Sequence, residues 1–510
     1  MSFSRRRFLQ ISSAAALAPS CIKLLASTDP ATQALCRKLA ADPLRPQYHL
    51  QPAHNWMNDP NGPIFYKGQY HMFHQYNPKA AVWGNMNWAH ATSPDLIHWH
   101  HLPIAMSPTP DGYDRDGVFS GSAVLDHGRP TVIYTGVFPP TRPEQATLND
   151  GAHIWREVQL LATATDDDLR TWQKLPEPVI SAPPADMKVT GFRDPFVWRE
   201  GDQWLLILGS GFKGEGGAIL LYSSPDLRNW TYLHPLVEGP GNGTQGANPV
   251  DTGEMWECPD FFPLGNKHVL LISTMGKVRW KVGTYANQRF TPEKEGVVDW
   301  GSYYAAKTML DENGNRVLWG WIPETRPDSD LLAAGWAGVM SLPRVMSLSG
   351  QNELQTEVHP AARVLREQHF GFTSAESAAA NQAKLDALRI RDLAAELKLT
   401  LQPKSAEFRV DLLPDSGDFV SIAVVPGQHL KVGAVKAPLT ASVTPLNLHI
   451  LIDGSVVELF VENGPTLTVR IYRVPSGPLR LKVEGATINS LDAWQMKPIS
   501  KDRLTGSLCS

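Results

Sequence analysis

The sequence predicts an all-β protein, a five-bladed β-propeller followed by a C-terminal β-sandwich. Between about residues 48 and 345, short apolar runs alternate with turn signals, and no long stretch has a helical period. Two local patterns each occur three times in this region, which is typical of a repeat architecture. After residue 345 the composition changes, and alternation of apolar and polar residues returns from residue 396.

Composition fits a globular protein of more than one domain. The chain has 510 residues, of which 42% are hydrophobic and 19% charged, and a net charge of −4. A sequence pI near 6.5 argues against a nucleic-acid partner. The four cysteines are scattered and lack the spacing of a metal site.

Residues 1–30 are predicted to be an export signal rather than part of the fold. Residues 4–10 (SRRRFLQ) precede a short Ala-rich apolar run and resemble a bacterial twin-arginine signal. The alternative is the start of a basic amphipathic helix. The apolar run is too short to span a bilayer. We therefore expect a periplasmic or extracellular protein, folded before export, without a membrane anchor in its mature form.

The predicted propeller, residues 45–350, contains three similar hairpins. In each, an acid and a nearby proline precede an apolar run, a turn and a second apolar run. The acids are Asp59, Asp194 and Glu257. Each segment predicts a β-hairpin whose first strand begins at the acid.

The number of blades follows from the strand starts. A second pattern, SPDLIHW at 93–99, recurs in part at 167–172 and again at 224–230. Similar strand starts fall at Asp59, Ser120, Asp194, Glu257 and near Tyr304, which predicts five blades. Because the innermost strands of a propeller run side by side, the three acids are expected to converge on one axial pocket.

The remainder of the chain is divided into a connector and a second domain. Residues 351–395 are predicted to be a linker with a short helix, because they are rich in Ala, Glu, Arg and Leu. Residues 396–500 alternate with period 2 and contain turn signals such as Asp453-Gly454. This pattern predicts a two-sheet sandwich.

Three carboxylates in an aromatic-rich pocket are unsuited to binding phosphate. They suit glycoside hydrolysis, which needs one ionised carboxylate and one protonated acid beside an acetal. A metal site is the rival use of clustered acids, but neither a calcium-loop spacing nor a histidine cluster accompanies them. No metal and no cofactor are therefore predicted.

Several motifs together resemble glycoside hydrolase family 32, the invertases, levanases and inulinases. The strongest are WMNDPNG at 56–62, RDP at 193–195 and WECP at 256–259. Further motifs are FHQYNP at 73–78, FSG at 119–121, WGW at 319–321, GWAG at 335–338 and IDGSVVELF at 452–460. The resemblance covers roughly residues 48 to 494.

The resemblance implies a retaining mechanism. Asp59 is then the nucleophile that forms a covalent fructosyl-enzyme, and Glu257 is the acid and base. Asp194 is expected to hold fructose hydroxyls and to stabilise charge at the transition state. Retention requires the nucleophile and the acid to be about 5–5.5 Å apart.

The resemblance also implies residues that contact the sugar. They are Asn58, Gln75, Trp83, Phe119, Ser120, Arg193 and Trp336. Each has a structural alternative, such as tying down a turn, filling the core or pairing with a carboxylate. Asp260 is a candidate contact beyond the first sugar, and the polar stretch 137–159 is expected to shape the acceptor side of the pocket.

The predicted function is hydrolysis of terminal β-D-fructofuranosyl bonds of sucrose or of fructans (levan, inulin), in the exo mode. The partner is thus a small or polymeric carbohydrate. The alternatives are a fructosyltransferase or an endo-acting fructanase that uses the same covalent intermediate. A non-catalytic fructan-binding protein would have lost an acid, and an inverting five-bladed enzyme would place its acids farther apart.

Overall fold

The computed structural model describes residues 29–244, 246–439 and 444–506. The predicted export signal lies outside these residues, apart from Asp29 and Pro30 at the start of helix α1 (Pro30–Ala41). The Asp29 side chain accepts a hydrogen bond from the Thr32 N–H at 3.4 Å, and proline fits the first turn because it needs no N–H partner there. No helix in these ranges is long and apolar enough to cross a bilayer.

Residues 55–358 form five sheets that follow one another along the chain. The first contains β1 (Asn55–Tyr66), β2 (Gln69–Asn77), β3 (Asn87–Ser93) and β4 (His100–Met106). The second contains β5 (Gly117–Asp126), β6 (Arg129–Phe138), β7 (Leu148–Asn149), β8 (Ile154–Ala164) and β9 (Trp172–Lys174), with a 3₁₀ turn at Pro143–Gln145. The third contains β10 (Arg193–Glu200), β11 (Gln203–Phe212), β12 (Gly216–Ser224) and β13 (Thr231–Pro240).

The last two sheets complete this region. The fourth contains β14 (Glu257–Leu264), β15 (Lys267–Thr274), β16 (Lys277–Ala286) and β17 (Arg289–Val297). The fifth begins with β18 (Tyr304–Leu310) and β19 (Arg316–Ile322). After helix α2 (Asp328–Ala334) and the short β20 (Trp336–Ala337) come β21 (Val339–Met340), β22 (Arg344–Leu348) and β23 (Leu354–Val358), which join the fifth sheet.

The first strands of the five sheets form a closed ring. Strand β1 contacts β5, β5 contacts β10, β10 contacts β14, β14 contacts β18, and β18 contacts β1. The short β20 pairs in parallel with β1 and so links the end of this region to its beginning. The ring of sheets is a β-propeller, as predicted; we call each sheet a blade and its first strand the inner strand.

The repeated Ser-Pro-Asp-Leu motif is a tight turn before the fourth strand of a blade. In the first blade, Asp95 accepts hydrogen bonds from the backbone N–H groups two and three residues later, at 3.1 and 2.8 Å. In the third blade Asp226 does the same, at 2.9 and 2.8 Å. In all three copies the next residue is a buried leucine with positive φ, namely Leu96, Leu169 and Leu227. The motif is therefore structural.

The C-terminal domain is the predicted sandwich of two antiparallel sheets. One sheet has the order β24-β34-β25-β30-β31-β32, with β24 (Arg366–Thr373), β25 (Ala394–Pro403), β30 (Leu446–Asp453), β31 (Val456–Val461), β32 (Thr466–Arg470) and β34 (Ala486–Met496). The other has the order β29-β28-β27-β26-β33, with β26 (Phe408–Leu413), β27 (Val420–Val425), β28 (His429–Val432), β29 (Val435–Pro438) and β33 (Arg480–Glu484). Apolar side chains from both sheets share one core.

The linker predicted at residues 351–395 is much shorter in the structure. Strand β23 completes the fifth blade, and β24 already belongs to the sandwich. Only a 3₁₀ turn at Pro360–Leu365 separates these strands, and helix α3 (Ala378–Ala387) follows β24. Strand β24 is an edge strand in which only one residue is buried, so it lacks the apolar alternation by which strands are recognised.

A buried ionic network joins the propeller to the sandwich. Glu458 accepts hydrogen bonds from His49 Nε2 at 2.9 Å and from Arg344 Nη2 at 2.5 Å. Arg344 also pairs with Asp299 at 2.9 Å, and His49 Nδ1 lies 2.8 Å from Asp453. Each of these five residues is at most 1% exposed. The motif at residues 452–460 thus supplies contacts between the two domains.

Candidate active site

The same β-bulge occurs in every inner strand of the propeller. In each bulge the inner strand advances by three residues while the paired strand advances by two, so the inner strand contains one extra residue. The bulges span residues 57–60, 118–121, 193–196, 257–260 and 304–307. All three predicted acids lie within these bulges. Because the inner strands form a ring, the bulges bring the acids to one end of the propeller axis.

The acids do not share one position in the bulge, although the sequence predicts similar hairpins at all three. Glu257 is the first residue of its bulge, Asp194 the second and Asp59 the third. The second residue has positive φ in three blades, at Asp194 (φ 63°), Cys258 (φ 49°) and Ala305 (φ 52°). Such backbone is rare for residues other than glycine and concentrates at functional sites.

Asp59 is held by two side-chain donors. Asn58 Nδ2 donates to Asp59 Oδ1 at 3.0 Å, and Ser120 Oγ donates to Asp59 Oδ2 at 2.7 Å. Asn58 is itself fixed by Trp56 Nε1, which donates to Asn58 Oδ1 at 2.7 Å. Asn58 and Ser120, both predicted to contact the sugar, therefore orient the predicted nucleophile in this structure.

The surroundings of the Asp59 carboxyl raise its pKa. Burial and the Asp194 carboxylate raise the pKa of Asp59 to about 6, and Glu257 adds to this rise. The hydrogen bonds from Ser120 and Asn58 act in the opposite direction and lower this pKa. The ionised form of Asp59 therefore predominates only above about pH 6.

Asp194 lies beside Asp59 and is fixed by the neighbouring blade. Its Oδ2 accepts a hydrogen bond from the Cys258 N–H at 2.8 Å, and its own N–H donates to Thr135 Oγ1 at 3.0 Å. Cys258 Sγ lies 3.5 Å from both Asp194 Oδ2 and Asp59 Oδ2. Burial and these two carboxylates raise the pKa of Cys258, so the thiol keeps its proton. Cys258 therefore serves as a weak donor between the two aspartates.

Glu257 is held by Arg193 and Tyr304. Arg193 Nη2 donates to Glu257 Oε1 at 2.8 Å, and Tyr304 Oη donates to Glu257 Oε2 at 2.8 Å. Arg193 Nη1 also pairs with the fully buried Glu157 at 2.8 Å. Burial lowers the pKa of Arg193, but Glu157 and Glu257 outweigh it and raise that pKa well above its usual range. The guanidinium is a permanent cation shared between two carboxylates.

A cavity of about 530 Å³ opens beside Glu257. Of the predicted sugar-contacting residues, Trp83, Phe119 and Arg193 line it. The Trp83 ring is 41% exposed and lies 6.1 Å from the rings of both Phe119 and Trp155. A larger cavity of about 620 Å³ lies between the fifth blade and the sandwich, but none of the three acids lines it.

Trp336 was predicted to stack on the sugar, and the structure contradicts this. Its side chain is fully buried, and its Nε1 donates to Asp42 at 2.8 Å. It packs with Leu39 of α1 and with Val456 of the sandwich. Gly338, two residues later, has φ 83°, and a Cβ there would lie 1.9 Å from a backbone oxygen of the first inner strand. The 335–338 motif is therefore part of the core.

Two further residues have structural contacts. Gln75 is buried, and its Nε2 donates to the Val118 carbonyl at 3.0 Å. Asp260, a candidate contact for a second sugar, is fully buried and accepts hydrogen bonds from the N–H and hydroxyl of Thr308. Asp260 therefore ties the fourth blade to the fifth and does not reach the cavity.

Several residues of the site were not predicted. Tyr304 occupies the same bulge position as Glu257, so alignment of the fifth strand start with the fourth would have identified it. Glu157 and Trp155 belong to the stretch 137–159, for which only a general role in the pocket was predicted. Leu148, Asp150 and Trp155 from this stretch do line the cavity.

The described residues include no group of three or more His, Cys, Asp or Glu side chains arranged to hold a metal ion.

Comparisons with known proteins identify the family. Residues 49–358 match the N-terminal domain of glycosyl hydrolases family 32, and residues 350–495 match its C-terminal domain. A sucrose-6-phosphate hydrolase of Zymomonas mobilis is 33% identical, with 89% of this chain and 90% of that protein covered. One from Escherichia coli is 35% identical, with 84% and 90% covered. Fructan 1-exohydrolase IIa from Cichorium intybus has 26% identity and a TM-score of 0.72, with 89% of this chain and 98% of that chain covered. The chain thus belongs to glycosyl hydrolase family 32 and is a glycoside hydrolase of the β-fructofuranosidase type.

Proposed function

We propose that this enzyme is a retaining, exo-acting β-fructosidase that hydrolyses terminal β-D-fructofuranosyl bonds of sucrose or of levan and inulin. The observation that carries the proposal is the pair of differently held carboxyls. Asp59 accepts hydrogen bonds from neutral donors, whereas Glu257 lies between a cation and a phenol at the cavity. A double displacement requires two carboxyls beside one acetal, one as the nucleophile and the other as the acid and base.

In the first step, Asp59 attacks the anomeric carbon of fructose while Glu257 protonates the leaving oxygen. In the second, Glu257 takes a proton from water, which attacks the fructosyl-enzyme and releases fructose. Asp194 is adjacent to Asp59 and is assigned the fructose hydroxyls and the charge that develops at the ring. Tyr304 and Arg193 hold the Glu257 carboxyl in place for both proton transfers.

Exo action is supported by the closed side of the site. The Asn61 amide forms hydrogen bonds to two neighbours. Its nitrogen donates to Ser120 Oγ at 3.2 Å, and its oxygen accepts from Gln75 Nε2 at 3.2 Å. Both amide residues are buried, at 0% and 2% exposure. These buried amides close the site on the side of Ser120, and a site closed on one side favours a terminal fructosyl unit over one within a chain.

The test is product analysis on sucrose, inulin and levan, with NMR of the fructose anomer at early times. We expect free fructose as the only small product from the fructans, released first as the β-anomer. Initial release of α-fructose would contradict retention. Fructo-oligosaccharides released from levan or inulin would indicate endo cleavage, and new oligosaccharides formed at high sucrose would indicate transfer.

Ser120→Ala is expected to move the acid limb of the kcat/KM profile to higher pH. The limb reports ionisation of Asp59 in the free enzyme, and the Ser120 hydrogen bond lowers the pKa of this group. Loss of a charge-assisted hydrogen bond of about 1.5 kcal/mol corresponds to a rise of about one pH unit. Ser122→Ala is the control, since Ser122 accepts from the Val197 N–H and does not contact Asp59. An unmoved limb in Ser120→Ala would contradict this role.

We further propose that the chain is exported by its twin-arginine-type signal to the periplasm or the exterior. The residues at 4–10 support this, and Cys36, which is disulfide-bonded, fits an oxidising compartment. Replacing Arg5 and Arg6 with lysine is expected to retain the activity in the cytoplasmic fraction. Unchanged export of this double variant would contradict the proposal.

A further inference from the structure

The cavity beside Glu257 lies on the leaving-group side of the site. Glu257 and Arg193 line it, whereas Asp59 and Asp194 are not among its lining residues. The acid protonates the oxygen of the departing sugar, so the space around Glu257 receives that sugar. The walls of this cavity therefore decide which leaving group is accepted.

One wall of the cavity is aromatic. Trp83, Phe119 and Trp155 contact one another edge-on or tilted, and His153 stacks on Trp155 with ring centroids 4.3 Å apart. Trp83 presents 41% of its surface to solvent. Such rings present apolar faces on which the C–H groups of a sugar can pack, and this contact does not depend on a charge on the ligand.

The charged groups of the cavity are mostly acidic. Asp150, Asp251 and Glu257 contribute carboxyl groups, and Asp251 is exposed at the rim. Burial raises the pKa of Asp150, but hydrogen bonds from His153 outweigh this and hold that pKa below its usual value. Asp150 is therefore ionised at neutral pH, although a protonated His153 at 3.1 Å would offset its charge.

Two cations at or near the cavity are already engaged. Among the described lining residues, Arg193 is the single cation, and it is shared between Glu157 and Glu257. The nearby Lys277 donates its ammonium to the backbone carbonyls of Trp300 and Gly301. A phosphate that entered here would meet carboxylates and would have to break one of these pairs to gain a cation.

We propose that the leaving-group site accepts an uncharged sugar and excludes a phosphorylated one, with Asp251 as a specificity-determining residue. This inference rests on the proposed β-fructosidase function and separates the chain from the relatives named sucrose-6-phosphate hydrolases, to which it is 33–35% identical. A sugar phosphate carries close to two negative charges at neutral pH, so the carboxylates at this wall repel it.

The test compares kcat/KM on sucrose 6-phosphate with that on the best cleaved of sucrose, inulin and levan. We expect the uncharged substrate to be preferred by about tenfold or more at low ionic strength, and the preference to shrink in high salt because the repulsion is screened. Equal or faster cleavage of sucrose 6-phosphate would overturn the inference. Absence of fructose release from every substrate would instead contradict the proposed function.

Variants of Asp251 test the residue itself. Asp251→Lys is expected to reduce the preference for the uncharged substrate by about tenfold, and Asp251→Asn by less, because charge reversal exceeds charge removal. Asp202→Lys is the matched control, since Asp202 is an exposed aspartate in the turn at the opposite end of β10 from Asp194. An unchanged preference in Asp251→Lys, or an equal change in Asp202→Lys, would refute the role of Asp251.

Discussion

Asp59→Asn is expected to lower kcat on sucrose and fructans by roughly a thousandfold or more, because an amide cannot form the covalent fructosyl-enzyme. The substitution keeps the size of the side chain, so its neighbours remain packed. The measurement is fructose release by the purified variant, with circular dichroism to establish that the fold is retained. A variant that kept more than about a tenth of wild-type activity would contradict the assignment of the nucleophile.

Glu257→Gln serves as the matched variant, because it is also expected to be inactive on sucrose but for another reason. A β-fructosyl fluoride needs no proton at its leaving group, so Glu257→Gln still forms the fructosyl-enzyme from it. Without a base the second step is slow, and the intermediate accumulates. Mass spectrometry is expected to find one fructosyl unit on Glu257→Gln and none on Asp59→Asn. The reverse pattern would exchange the two roles.

Asp59→Asn is also expected to be more stable than the wild type above pH 6. The folded-state pKa of Asp59 is about 6, above its ordinary value of 3.8. A carboxyl with a raised pKa contributes stability that is present below its unfolded pKa and is lost as the pH rises through its folded pKa. At about pH 8 the ionised Asp59 therefore costs up to about 3 kcal/mol of unfolding free energy, which the amide avoids. At about pH 3 we expect no such advantage.

The inner strands explain why the convergence of the three acids could be predicted from the sequence. Each acid belongs to a bulge at the start of a hairpin, and hairpins have strong local signals in turns and apolar runs. Their convergence then follows from the ring of inner strands. The exact position of each acid within the bulge is not visible in the sequence, because an extra residue changes the strand register without changing composition.

Trp336 and strand β24 show what local patterns miss. Trp336 lies at the meeting point of α1, the propeller and the sandwich, and its burial depends on three segments distant in sequence. Strand β24 lies at a sheet edge and has a single buried residue, so its sequence resembles that of a linker. In both cases tertiary contacts, rather than local propensity, decide the structure.

Tyr304 was not predicted as a residue of the site, for a different reason. Its strand start is recognisable in the sequence, but tyrosine has no carboxyl group, so the pattern of acids does not include it. Its role emerges only when its hydroxyl is found 2.8 Å from Glu257 Oε2. Burial and the Glu257 carboxyl raise the pKa of Tyr304, so it remains a donor throughout the working pH range.

The network between the domains is expected to be the most sensitive part of the fold outside the hydrophobic cores. Glu458→Ala is expected to lower the unfolding free energy by about 3–5 kcal/mol, because it leaves the buried charge of Arg344 without one of its partners. Arg480→Ala is the matched control, since Arg480 and Asp415 form an ion pair on the sandwich surface with side chains 46% and 78% exposed. Loss of such an exposed pair costs at most about 1 kcal/mol. Urea unfolding of both variants makes the comparison, and equal losses would contradict the structural role of Glu458.

The pH dependence of the network gives a second, independent check. Burial lowers the pKa of His49, but its hydrogen bonds to Asp453 and Glu458 outweigh this and raise that pKa to about 9. The stability that His49 gains from this raised pKa is fully present below the pKa of 6.5 in the unfolded chain. It is lost as the pH rises through 9. Burial raises the pKa of Glu458, but Arg344 and His49 outweigh this and lower it to about 2. The stability contributed by Glu458 is therefore fully present above pH 4.5 and is lost as the pH falls through 2.

The network should therefore be fully formed between pH 4.5 and 6.5. His49→Gln is expected to lose stability relative to the wild type most strongly in this window and least above pH 9, where wild-type His49 is itself neutral. The network also contacts the strand start that carries Tyr304, because the Arg344 guanidinium carbon lies 4.3 Å from the ring centroid of the adjacent Tyr303. We thus expect kcat of His49→Gln and Glu458→Ala to fall at temperatures at which the propeller remains folded. If the unfolding free energy falls as expected while kcat is unchanged, the joint between the domains does not support Tyr304.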